Sequence, residues 1–357
     1  MIKTKEGIAI LPTLEDACAV VAIVPKHDCR RKVFISTNTV DGRGRPGAGR
    51  IIFFSDGTGG MVFNHRTKER ALFFYDINQG MTEKERASMQ RKARAERAQA
   101  ELEASVRQQQ RGKILPGVIT KMFSHTFVGV HPYLLRKMVA DVPGAPTAII
   151  SKAAAQAALD QVPPGIYEDG CLMSSLSSLS GDLLMVALTD TKGAVCSCQF
   201  IDEKGRKRLM KGAPKMGLIW RPSELPVYSQ EVCCVCIAEG VATALSVRAL
   251  FNVPCVAAID CHNIEGALNH VLHSYPHAEI NVMADRDKST KEYPEGVGLF
   301  EAKRAVELLS EHSRERVKIY CVPPVTDCQL FRFRTVTENP EGEITDFNDY
   351  QIAISQP

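Results

Sequence analysis

The C-terminal part of the sequence predicts an α/β fold, an open parallel sheet flanked by helices. A β-rich α+β middle region and a small β-rich N-terminal region precede it. Three observations carry this reading. Short apolar runs alternate with helix-like segments from 232 to 322, successive runs end in acids, and the composition shifts along the chain. The shifts divide the 357 residues into 1–80, 81–112, 113–228, 229–326 and 327–357, the last a C-terminal extension.

Residues 1–80 read as β-rich. "RIIFFSDGTGGMVFNHRTKERALFFYD" alternates strand-like runs with Asp-Gly, Gly-Gly and polar turns. The Gly/Arg stretch "DGRGRPGAGR" before it reads as a flexible connector. From Thr82 to Arg111 there is neither proline nor glycine, and pairs such as Glu83/Arg86 and Glu103/Arg107 stand at helical spacing. Apolar residues there are too sparse for a heptad seam, so a charged linker helix is expected.

In the middle region, "DLLMVALTDTKGAVCSCQFIDEKGRKRLMKG" predicts two or three strands broken by Lys-Gly turns. Lys204, Arg206, Lys207, Arg208, Lys211 and Lys215 follow one another with no acid between them. Such a concentration suggests contact with the phosphates of a nucleic acid.

The third region alternates regularly. Strand-like runs at 232–238, 255–259, 279–284 and 317–322 are separated by helix-like segments at 241–251, 264–273 and 297–310. In open parallel sheets the chemistry collects at the carboxyl ends of strands. Three consecutive runs lead into acids there: Glu239, Asp260 and the pair Asp285/Asp287. Carboxylates gathered at one edge repel one another, and a hard divalent cation relieves the repulsion. No histidine or cysteine is expected to join the set, which points to Mg²⁺ or Mn²⁺, with no zinc. Asp260 reads equally well as the cap of the following helix.

Several classes are excluded or disfavoured. No apolar run is long enough to cross a membrane, and no signal peptide is read at the start. A net charge of +3 demands no polyanionic partner. There is no G-x-x-x-x-G-K-[ST], G-x-S-x-G or H-E-x-x-H, so no P-loop motor, serine hydrolase or zincin site is encoded. The 12 cysteines cluster within β-like runs (Cys196/Cys198, Cys233/Cys234/Cys236), as buried reduced thiols of a cytoplasmic protein would. Cys18, His27 and Cys29 lack a fourth ligand at a recognisable spacing. The chemistry left is metal-assisted phosphoryl or nucleotidyl transfer, or phosphodiester hydrolysis.

"AEGVATALS", "VAAIDCHNI", "NVMADRDKS" and "GVGLFEAKRAV" occur in that order, and together they resemble the successive motifs of a Toprim domain. That metal-binding module is shared by DnaG-type primases, topoisomerases, recombination mediators and some nucleases. "HPYLLRKMV" (131–139), "CSCQFIDEKGRKRLMKGAPKMG" (196–217) and "ITDFNDYQ" (344–351) are similar to flanking motifs of the TraC-like primases of conjugative plasmids and related phages. The resemblance covers roughly residues 130–350. It implies that Glu239 assists proton transfer, that Asp285 and Asp287 are metal ligands, and that Asp346 and Asn348 stand where further ligands lie. Asp260, Asn263 and Asp349 would support the site. Thr243 stands where DnaG-type enzymes tend to have another acid, His262 where glycine is frequent, and a zinc-binding module has no counterpart.

The resemblance implies a bacterial, cytoplasmic DNA primase-like enzyme of a plasmid or phage. It would use Mg²⁺ or Mn²⁺ to join ribonucleoside triphosphates on single-stranded DNA, with a replicative helicase supplied in trans and no membrane association. A Toprim nuclease and a non-catalytic DNA-binding accessory protein of a mobile element are the alternatives.

Overall fold

A computed structural model describes residues 2–3, 8–26, 34–42, 47–54, 59–74, 83–163, 176–290 and 293–355. The Asp56-Gly57 turn, His27, Cys29 and positions 43–46 of the Gly/Arg loop lie outside the described residues. The chain forms two compact units, Met1–Val106 and Arg107–Pro357.

The first unit holds a six-stranded sheet in the order β1-β2-β6-β5-β4-β3. Its strands are Ile2–Lys3, Ala9–Leu11, Phe34–Thr37, Gly49–Phe53, Gly59–Asn64 and Arg70–Phe74 (β1 to β6). Every pairing is antiparallel except β2 with β6. Alternate residues Ile51, Phe53, Val62, Ala71 and Phe73 join Leu14, Ala17 and Cys18 of helix Leu14–Val20 in one core. Thr13 caps that helix, accepting from the Asp16 amide.

A long helix, Glu83–Ser124, crosses the boundary between the units. It passes through Gly112 and Pro116, well beyond the stop expected from composition near residue 112. Tertiary packing accounts for the extension. Leu115, Ile119 and Met122 are fully buried against Leu183, Met185, Cys198 and Phe200 of the neighbouring sheet. That burial outweighs the missing amide of one proline.

The neighbouring sheet has five antiparallel strands in the order β11-β10-β9-β8-β7. They are Phe127–Val128, Ala148–Ile150, Leu183–Thr189, Val195–Ile201 and Lys207–Leu209 (β7 to β11). The turn before β11 is organised by the fully buried Asp202. Its carboxylate accepts from the Lys204 and Arg206 amides and from the Arg206 guanidinium.

The third sheet is parallel, in the order β13-β12-β14-β15, with strands Cys234–Ala238, Cys255–Ala257, Glu279–Ala284 and Val317–Cys321 (β12 to β15). Val235, Ile237, Val256, Ile280 and Val282 face the helices Ile264–Ser274 and Val297–Glu307. Cys236, Ala238 and Met283 face the helix Val241–Phe251 and share a core with Leu184, Val186 and Trp220 of the middle region. Reciprocal backbone bonds between Trp220 and Ala257, both 3.0 Å, stitch the two together. The strand expected at 255–259 ends at Ala257, because Ile259 turns left-handed at φ 74°. Cys236, Cys198 and Cys255 are buried as expected, but Cys233 and Cys328 are exposed. Cys233 precedes β12 and lies outside the buried strand.

Candidate metal centre

Each strand-end acid is placed by the element before it. β12 ends at Ala238, so Glu239 follows directly, and Gly240 opens the next helix. β14 ends at Ala284, and Asp285 follows on the Met283 side. Asp287 is held differently: its Oδ2 accepts the Gly298 amide at 2.9 Å, at the start of helix Val297–Glu307. Glycine is required at both ends of that "GVG". Gly296 has φ 88° and a Cβ there would lie 2.7 Å from the Asp287 carbonyl; one on Gly298 would lie 2.9 Å from the Asp285 carbonyl. Their task is to let a helix N-terminus approach the two aspartates.

Asp346 arrives from the end of the chain. The Arg286 amide donates to the Thr345 carbonyl at 2.7 Å, laying residue 345 beside the segment that carries Asp285 and Asp287. Asp346 then caps helix Phe347–Ile354 through the Asp349 amide, and its other oxygen accepts from Thr243 Oγ1 at 3.2 Å. Thr243 therefore supplies a donor to Asp346 where an additional acid was the comparison. Asp349 is tied to the Thr345 amide and hydroxyl and lies 4.0 Å from Lys137 Nζ.

The electrostatics report how tightly these acids are gathered. Burial, then Asp287, Asp260 and Asp346, push Glu239 up to about 7, with Lys207 pulling the other way. Burial and the charges of Asp346, Glu239, Asp287 and Asp349 push Asp285 up to about 9. Burial and Asp346 also raise Asp349. Asp285 Oδ1 is buried with no hydrogen-bond partner. An orphaned carboxylate oxygen among mutually repelling oxygen donors suits a hard dication such as Mg²⁺.

A cation-free protein should therefore respond to pH in a definite direction. The folded-state values of Glu239 and Asp285 lie above the unfolded ones, so their stabilisation is complete below about pH 4 and is lost as the pH rises through 7 and 9. The thermal midpoint of chelator-treated protein is expected to fall between about pH 5 and pH 9, and Mn²⁺ to restore most of the loss. A midpoint climbing over that range without metal would contradict the clustering of these acids.

Two expected participants have other work. Asn348 is fully buried, and its amide nitrogen donates to the Lys137 carbonyl at 2.7 Å and to Ser246 Oγ at 2.9 Å, fastening the last helix to two others. Asn263 is likewise buried, bonding Leu218, Ala258 and Gly217 backbone groups. Asp260 realises the cap reading: it accepts the His262 amide at 3.0 Å and pairs with Lys215 at 3.2 Å. Cys261 and His262 present ligand atoms beside the Asp260 carboxylate.

The basic series does not form one stripe. Arg206 is bound to Asp202, Lys215 to Asp260, and Arg208 to Ser178 Oγ and the Lys207 carbonyl. Lys204, Lys207 and Lys211 are all exposed. Lys207 turns into the acidic site: Nζ lies 5.6 Å from the Tyr133 ring centroid and 3.6 Å from where a Cβ on Gly240 would stand. Burial of its ammonium lowers its proton affinity, but Tyr133, Asp346 and Glu239 outweigh this and raise it overall. Tyr133 is itself buried. The sequence marked Lys207 as one cation among six; no local signal separated it from its neighbours.

An open parallel sheet whose carboxyl edge gathers acids from two adjacent strands beside a helix N-terminus is an arrangement suited to a hard dication. Residues 234–354 match the model of one family, the Toprim domain. Solved structures similar to the chain include the primase fragment of the bacteriophage T7 primase-helicase protein (15% identity, 40% of this chain and 54% of that one, TM-score 0.31). Others are the Aquifex aeolicus primase with its zinc-binding and RNA polymerase domains (16%, 53% and 45%, 0.32) and a DNA primase domain from Pseudomonas aeruginosa (15%, 42% and 46%, 0.26). The chain spans about half the length of each of these three. Among the described residues no helix is long and apolar enough to cross a membrane.

Proposed function

We propose that the chain is a Toprim primase-like nucleotidyltransferase, joining ribonucleotides on single-stranded DNA at the edge that carries Glu239, Asp285, Asp287 and Asp346. The observation that carries this reading is the convergence of those acids, with a partnerless Asp285 oxygen, on one lysine from a different sheet. The Toprim match to residues 234–354 supports it, as do the upstream motifs that resemble those of TraC-like primases.

Asp285 and Asp287 would hold Mg²⁺ or Mn²⁺, with Asp346 completing the set. Held there, such a cation would neutralise triphosphate charge and polarise the attacking hydroxyl. Glu239, held near neutrality, takes the proton from that hydroxyl. Lys207 contacts the phosphates and keeps Glu239 from rising further. Lys204, Arg208 and Lys211 would contact the template backbone, and a helicase supplied in trans would open the duplex. A plasmid or phage setting belongs to the same reading.

The test is incubation of the protein with single-stranded DNA, labelled ribonucleoside triphosphates and Mn²⁺ or Mg²⁺. Labelled oligoribonucleotides that disappear with chelator are expected. Shortened template without them assigns the site to a nuclease, and binding without either product assigns the chain to an accessory role.

A further inference from the structure

We propose that Asp260, Cys261 and His262 form a second metal site, selective for a borderline transition-metal dication such as Zn²⁺ and distinct from the carboxylate centre. One oxygen, one sulfur and one imidazole nitrogen from these consecutive residues all lie within 4.8 Å of one another. Donors around a tetrahedral zinc stand about 3.3–3.8 Å apart, so closure needs shifts of about 1 Å. A mixed oxygen, sulfur and nitrogen set disfavours Mg²⁺, which takes oxygen alone.

The turn that presents them is held from every side. Ile259, a β-branched residue, is kept at φ 74° by its amide's 2.7 Å bond to the Glu239 carbonyl. A left-handed β-branched residue is strained and persists only where its surroundings impose it. Its effect is to end β13 early and swing the next three residues to the sheet edge. Below them the buried Asn263 fixes the turn through three backbone partners.

His262 is oriented as metal-binding histidines are. Its Nδ1 lies 3.3 Å from Glu301 Oε1, and Glu301, only 7% exposed, is anchored by Arg304. A carboxylate on one ring nitrogen sets the tautomer and leaves Nε2 for a metal. The His262 side chain is 58% exposed, so a fourth position stays open to water or to a substrate oxygen.

Lys215, 3.2 Å from Asp260 Oδ2, is the cation present there and the competitor such a metal must displace. Neither Cys261 nor His262 has a task in the proposed reaction, and the site does not depend on that reaction.

The experiment is a Co²⁺ titration of the full chain in excess Mg²⁺, followed by thiolate-to-cobalt charge-transfer absorption, with Zn²⁺ as competitor. One equivalent is expected to produce the band and Zn²⁺ to abolish it. Cys261→Ser should remove the band, His262→Ala should weaken binding at least about tenfold, and Lys215→Ala should tighten it. Near-UV circular dichroism checks the fold of each variant; were Cys261→Ser to unfold, His262→Ala and Lys215→Ala, moving in opposite directions, still decide. No band in the parent protein, a band unchanged in Cys261→Ser, or equal affinities for all variants would overturn the site.

Discussion

Asp285→Asn is expected to abolish cation-dependent nucleotidyl transfer, by about a thousandfold or more, while raising the thermal midpoint of the metal-free protein. The two effects have one origin. Asp285 is pushed up to about 9 because burial and four neighbouring acids oppose its charge. Asparagine keeps the shape and removes that charge, so the metal-free fold is relieved at and above neutral pH. The same substitution takes away the carboxylate whose Oδ1 has no partner in the protein. Mn²⁺ should consequently stabilise the parent chain much more than the variant. Activity lost through misfolding would instead lower the midpoint, so calorimetry with and without Mn²⁺ separates the explanations. A variant that retains most transfer activity would remove Asp285 from the site.

Lys207→Ala should cost about a hundredfold in the same assay, whereas Lys204→Ala should cost little, although both belong to one basic series. The difference is one of place. Both lysines are exposed, but Lys207 Nζ stands by Gly240 and the Tyr133 ring and interacts with Glu239 and Asp346, whereas Lys204 sits in the turn that Asp202 organises. Lys207 also opposes the upward shift of Glu239, so its removal should move the acidic limb of the pH–rate profile to higher pH. Equal losses for Lys204→Ala and Lys207→Ala, with an unmoved profile, would mean that both serve only general attraction of nucleic acid.

The acids and cations were legible in the sequence to different degrees because they depend on different ranges of interaction. Glu239, Asp285 and the cap at Asp260 follow from local patterning: an apolar run of strand length must end, and the residue after it falls at the sheet edge. Asp346 could be noticed only through the resemblance of "ITDFNDYQ". Its delivery depends on one backbone bond, from Arg286 to Thr345. Asn348 in the same motif looked equivalent, but helix geometry turns it into the protein, where Lys137 and Ser246 take its amide. The basic series was the least legible. Charges adjacent in sequence found partners distant from one another, at Asp202, Asp260, Ser178 and the acidic centre.

By itself the sequence determined the alternation of buried strands and helices from 232 to 322, the parallel sheet this implies, and the acids that must sit at its carboxyl edge. These rest on periodicity and strand length, which neighbouring residues settle among themselves. The tertiary structure alone decided which acids crowd together, which cation joins them and where the long helix stops. Each of those outcomes depends on burial and charge contributed by segments far apart in the chain. Such terms have no local signature, because desolvation and Coulomb energy exist only after the distant groups have been brought together.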